Sequence, residues 1–178
     1  MFIDSKSKFR VPLCCTLLVA ILIGGRRAAR ADNVCPTASD EIATDRPDVT
    51  NSSLVVPAGS LQAENGVDWS ERHGSNAVGG TNTRLRVGIA HCSEFLLDVP
   101  SYFASVSGTQ PSGFFNLAIS FKRQFAVPFG FDLSTTAGIG FPTGFGQISG
   151  RGFQPHIQFP WSHPVGQGWE LVGMFTLT

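Results

Sequence analysis

The chain has 178 residues, equal numbers of acidic and basic side chains, 42% hydrophobic residues, 20 glycines and 15 phenylalanines. The basic residues form no clustered face of the kind that binds nucleic acid, which excludes that partner class. Beyond residue 31 there is no apolar run of about 18 residues, so helical membrane spans are excluded there.

Residues 1–31 read as an export signal. Lys6, Lys8 and Arg10 make a basic start, residues 11–25 are apolar, and Ala29-Arg30-Ala31 is a small-x-small cleavage site. The apolar run is shorter than the roughly 20 residues of a spanning helix; an uncleaved anchor is the alternative. Six of the 13 basic residues and one of the 13 acidic ones lie in this leader, so its removal leaves seven against twelve, a net charge of −5. Beyond the leader stand Cys35 and Cys92. Export permits a disulfide between them, and two unpaired thiols fit the sequence as well.

Residues 32–58 look like an irregular N-terminal extension on the periplasmic side, either outside the barrel or tucked into its mouth. Asp45-Arg46-Pro47-Asp48 and Asn51-Ser52-Ser53 are turn and loop chemistry. From residue 59 onward apolar and polar residues alternate, as in Leu61, Ala63 against Gln62, Glu64 and in Phe115, Leu117, Ile119, Phe121 against Asn116, Ser120, Lys122. Successive strand side chains point to opposite faces, so each stretch has one apolar and one polar face. The pattern predicts seven strands, at 60–70, 82–90, 94–103, 114–124, 129–141, 152–161 and 168–177. The connections alternate long and short: 71–81, 104–113 and 142–151 are long, whereas 91–93, 125–128 and 162–167 are short. Behind an export signal, this predicts an antiparallel transmembrane β-barrel of a bacterial outer membrane, with an apolar exterior and a polar lumen. Trp69, Tyr102, Phe103, Phe121, Phe129, Phe141, Phe153, Trp161 and Trp169 fall near predicted strand ends, where rings suit the lipid headgroup level.

Seven is odd, and bacterial single-chain barrels normally have an even count. The terminal Thr178 is also not the aromatic residue expected at the end of such a barrel. The seven strands are therefore expected to be the N-terminal part of a longer barrel, or one share of a homo-oligomeric barrel.

A family resemblance rests on Ile42-Ala43-Thr44-Asp45-Arg46-Pro47-Asp48-Val49-Thr50, on Val56-Pro57-Ala58-Gly59-Ser60-Leu61-Gln62-Ala63-Glu64-Asn65-Gly66, and on Thr83-Arg84-Leu85-Arg86-Val87-Gly88-Ile89 ahead of Glu94-Phe95. Together these resemble the outer-membrane transporter family named for the meta-cleavage pathway of phenol degradation. The resemblance implies an outer-membrane barrel, and the family's name implies uptake of aromatic compounds; it carries over no binding residues.

The predicted lumen-lining residues are Glu64, Asp68, Arg84, Arg86, Glu94, Asp98, Lys122, Asp132 and His156. Glu64 and Asp68 are expected beside Arg84 and Arg86. Such a set could form a charged constriction that screens solutes, or a salt-bridge ladder that fills a narrow barrel and fixes strand register. No catalytic set is apparent. His73, His91, His156 and His163 lack metal-ligand spacing, the serines lack a nucleophile-elbow context, and Gly138-Ile139-Gly140 falls inside a strand with no phosphate-holding helix after it. The sequence thus predicts a non-enzymatic channel without a cofactor. Its partners would be outer-membrane lipid, the barrel-assembly machinery and a small-molecule solute. A secreted β-sandwich without a pore is the alternative.

Overall fold

The computed structural model describes residues 42, 44–45, 50–72, 75–107 and 111–178. The predicted leader and Cys35 lie outside the described residues. Cys92 is disulfide-bonded, and its partner also lies outside them.

Among the described residues alternation produces mostly strands: β1 (Leu61–Arg72), β2 (Ser75–Ala90), β3 (Ser93–Asp98), β4 (Tyr102–Ser105), β5 (Gly113–Phe114), β6 (Leu117–Ala126), β7 (Asp132–Phe141), β8 (Gln154–Pro164) and β9 (Glu170–Leu177), with a short helix, α1 (Gly146–Ser149). All pairings are antiparallel. Two of the nine segments are continuations. Arg84 opposes Asp98 and Gly80 opposes Tyr102, so β3 and β4 follow one unbroken register along β2. In the same way Asp98 opposes Ala118 and Tyr102 opposes Phe114. The break falls at Pro100, which has no N–H to give to a ladder. The nine segments therefore make seven strands, since β3 with β4 and β5 with β6 each count once.

The sheet curls into a half-barrel. Its outer strands are β1, paired only with β2, and β9, paired only with β8, among the described residues. Polarity is reversed relative to a water-soluble fold. Arg86, Glu94, Lys122 and Ser134 on the concave face are fully buried, whereas Leu61, Phe95, Phe175 and Leu177 on the convex face are exposed. The buried apolar side chains among the described residues are few: Val55, Val56, Ala77, Leu96 and Pro160. A β-sandwich buries apolar side chains between two stacked sheets; here one sheet buries charge on one side and displays apolar side chains on the other.

We name the two ends of the sheet after their connections. The turn end carries residues 91–92, 127–131 and 165–169; the loop end carries 106–112 and 142–153, the latter containing α1. The expected long connection at 71–81 is absent. β1 and β2 stay paired up to Arg72 and Ser75, and the 16-residue β2 is longer than the roughly 9–11 residues a tilted strand needs to cross a bilayer. Gly79-Gly80-Thr81 has loop composition, but pairing with Gly66, Val67 and Asp68 satisfies its backbone groups. The longer hairpin also changes the register, with consequences for Asp68 described below.

Rings gather at both ends. At the loop end Tyr102 meets Phe114 edge-on at 5.0 Å, and Phe141 meets Phe153 at 5.9 Å. At the turn end Phe131 stacks on His163 at 4.2 Å, beside Trp161. Phe129 sits at a turn tip, 87% exposed, with a φ of +69° that a bulky side chain rarely adopts. Phe121 differs from expectation. It lies in the middle of β6, where it packs against Phe95 at 5.7 Å on the convex face.

Candidate functional site

The concave face holds a lattice of charged side chains, contributed by alternate positions of adjacent strands. Arg84 grips Asp98 with two parallel hydrogen bonds of 2.7 and 2.9 Å. Arg86 donates to Glu94 at 2.8 Å and to Glu64 at 3.1 Å. Lys122 Nζ lies 3.5 Å from Glu94. Three carboxylates of the sheet, Glu64, Glu94 and Asp98, thus stand against three of its cations, Arg84, Arg86 and Lys122.

Asp45 enters this lattice from outside the sheet. Its carboxylate lies 3.1 Å from Arg84 and 3.4 Å from both Arg86 and Lys122, with none of its side chain exposed. It also accepts the Ser52 N–H at 2.8 Å, while its own N–H donates to the Glu64 carboxylate. Residues 50–58, which have no regular structure, then cross the concave face as a strap. Asn51 donates to Gln158 at 2.7 Å, Ser53 meets Ser162 at 3.0 Å, Val55 N–H reaches Gln124, and Val56 N–H donates to Glu94 at 2.7 Å. The Leu54 carbonyl accepts from Arg86 at 2.8 Å. The strap thus runs from β8 across β6 and β3 to β2. There it passes over Gly88, where any Cβ would collide with the Pro57 carbonyl.

Of the predicted lining residues, Glu64, Arg84, Arg86, Glu94, Asp98 and Lys122 come together in the lattice. Asp68 does not. The tight hairpin places it opposite Gly79, while Glu64 takes the place opposite Arg84, so Asp68 is exposed and bonds the Asn82 side chain. Asp132 begins β7 at the turn end, opposite Ser162. His156 stands apart from the charges, 3.2 Å from the Ser120 hydroxyl, in a space left by Gly138. The residues missed were Asp45 and its neighbours Asn51 and Ser53. Leu54-Val55-Val56, an apolar triplet inside a polar segment, was the signal that this stretch is buried rather than hanging free.

On the loop side of the strap lies a cavity of about 910 Å³. Asn51, Arg84 and Asp98 line it toward the lattice, Ser120, Gln154, His156 and Gln158 line its wall, and Phe115, Ile148 and Phe153 line it toward the loops. Thr136 also lines it, with a buried hydroxyl that has no hydrogen-bond partner among the described residues. Among the described residues no group of His, Cys, Asp and Glu side chains could hold a metal ion, and no helix is long and apolar enough to cross a membrane.

The family described as "Putative MetA-pathway of phenol degradation" matches residues 44–178. The chain belongs to this family. No curated protein and no solved structure matches it. The match begins at Thr44, one residue before Asp45, so the family region takes in the strap as well as the sheet.

Burial by itself would raise the Asp45 carboxyl, but Lys122, Arg86 and Arg84 around it and the Ser52 N–H outweigh burial and hold it below the usual carboxylate range. A group whose folded value is depressed contributes stability above its unfolded value, and loses it as the pH falls through the folded one. The strap should therefore stay docked at neutral and mildly acidic pH and come away below the ordinary carboxylate range of about 4. Pepsin cleavage within residues 50–58 on acidification measures this. An Asp45→Asn variant separates the Asp45 share from that of Glu64, Glu94 and Asp98, and should be cleaved at higher pH than the parent.

Proposed function

We propose that this protein is a non-enzymatic outer-membrane channel that admits small solutes by passive diffusion. The observation that carries the reading is the reversed polarity of a single curled sheet: charge buried on the concave face, apolar side chains displayed on the convex one. Exposed convex residues such as Phe95 and Phe175 would be costly in water and favoured in lipid. β6 and β7 have ten residues each; at about 3.3 Å per residue and a tilt near 45° such a strand rises roughly 23 Å, close to the ~25 Å apolar band of outer-membrane barrels. The rings at the two sheet ends suit the two headgroup levels.

In this reading the leader directs export and the assembly machinery inserts the sheet. The connections at the loop end face outward, and the cavity receives the solute. Small aromatic compounds are the solute class that the family's description suggests. No cofactor or energy source is needed.

Labelling with a photoactivatable phospholipid tests the reading. Cysteines placed at Phe95 and Phe175 should label in outer-membrane preparations, and one at Ser134 should not. Recovery of the protein in a detergent-free soluble fraction, with Phe95 and Phe175 unlabelled, would overturn it.

A further inference from the structure

We infer that Asp45 and residues 50–58 form a releasable stopper, latched across the channel by the Asp45 carboxylate. The inference rests on the channel reading and adds how that channel is closed.

Three observations lead to it. The strap crosses the trough from β8 to β2, so movement along the concave face must pass it, and the cavity ends against its Asn51. Residues 50–58 are also held differently from the wall. The wall strands are joined by continuous ladders, as in the ten consecutive pairs of β6 with β7. The strap is held by separate contacts: Asn51 to Gln158, Ser53 to Ser162, Val56 N–H to Glu94, and the Leu54 carbonyl to Arg86. It can leave without opening a strand pair.

The third observation is the charge count. Among the described residues of the lattice, four carboxylates share three cations while Asp45 is in place. Without it, Glu64, Glu94 and Asp98 still stand one for one against Arg84, Arg86 and Lys122. Departure of Asp45 therefore leaves each of these cations within the reach of a lattice carboxylate. Ordinarily, removing one member of a buried ion pair leaves the other uncompensated. Here the removable member is the surplus one.

The test uses the full protein extracted from outer membranes in its native assembly. Asp45→Asn is compared with the parent by hydrogen exchange and by conductance in planar bilayers. The expected result is at least a tenfold rise in exchange at the amides of residues 52–56, unchanged protection in β3, β6 and β7, and at least a threefold rise in current. A second variant, Ser53→Cys with Ser162→Cys, ties the strap to β8 where the two hydroxyls are 3.0 Å apart. Oxidised, it should remove the current gained by Asp45→Asn, and reductant should restore it, with the parent under the same reductant as control because Cys92 is itself disulfide-bonded.

If strap and wall lose protection together, residues 50–58 are part of the fold and the stopper is overturned. If the strap is released but parent, Asp45→Asn and oxidised tether carry equal currents, the gate alone is overturned. If the strap is released and none of them conducts, the channel reading fails, and the gate falls with it.

Discussion

Arg86→Met is expected to destabilise the protein by about 3–5 kcal/mol, the cost of leaving buried charges without their partner. Arg86 is fully buried and bonds Glu94, Glu64 and the Leu54 carbonyl, with Asp45 at 3.4 Å. Its removal leaves four carboxylates to share Arg84 and Lys122. Lysine in its place restores the charge but offers no planar fork to grip Glu94 with two donors, so Arg86→Lys should fall between the parent and Arg86→Met. Urea unfolding in lipid vesicles measures both. Pairing Arg86→Met with Glu94→Leu should recover part of the loss, because the second change removes one of the stranded carboxylates. A strictly additive pair would show that the two side chains do not act together.

Gly88→Val should displace the strap and leave the sheet paired. A Cβ at Gly88 would lie 2.7 Å from the Val56 carbonyl oxygen and closer still to that of Pro57. These are backbone atoms, which cannot swing aside as the end of a side chain can. Valine itself favours strands, so β2 keeps its pairing with β3. The cost should be about 1–3 kcal/mol, in the range for forcing extra atoms into a filled site. Exchange at the Val56 amide should rise while that at Phe95 holds. Gly140→Ala is the control. The nearest atoms to its added Cβ are Gln154 Oε1 at 3.2 Å, at the end of a flexible side chain, and Gln154 Cβ at 3.3 Å, which a shift of a few tenths of an ångström relieves. Equal loss of strap protection in the two variants would show that close passage at Gly88 is not what seats the strap.

The sheet was legible in the sequence because its signal is local. Leu85, Val87 and Ile89 alternate with Arg84, Arg86 and Gly88, and the faces follow from the pleat alone. Register is not local. Glycines and short polar residues between 71 and 81 read as a loop, and with it both Glu64 and Asp68 are expected beside Arg84 and Arg86. The paired hairpin keeps Glu64 opposite Arg84 and carries Asp68 to a place opposite Gly79. The contacts that seat the strap were not legible for a related reason. Irregular backbone has no period, so nothing in Asp45 or Asn51 announces what each will touch. Asp45 meets Lys122 across 77 residues of chain, and Asn51 meets Gln158 across 107. Such contacts are fixed by the curl of the whole sheet. The charges on the wall could be found from alternation; the charge that joins them could not.

The two outer strands carry a constraint of direction. β1 runs from the turn end to the loop end, and so does β9, because seven strands separate the two rims by an even number of reversals. In a ring where every neighbour is antiparallel, these rims cannot be joined to each other. Two copies of this sheet facing one another about the barrel axis would meet in two parallel seams. An odd number of additional strands, each reversing its neighbour, would instead close the ring with no parallel seam at all. Both completions give an even strand total, so seam direction separates the two ways of completing this wall: β1 and β9 meet parallel partners in the first and antiparallel partners in the second.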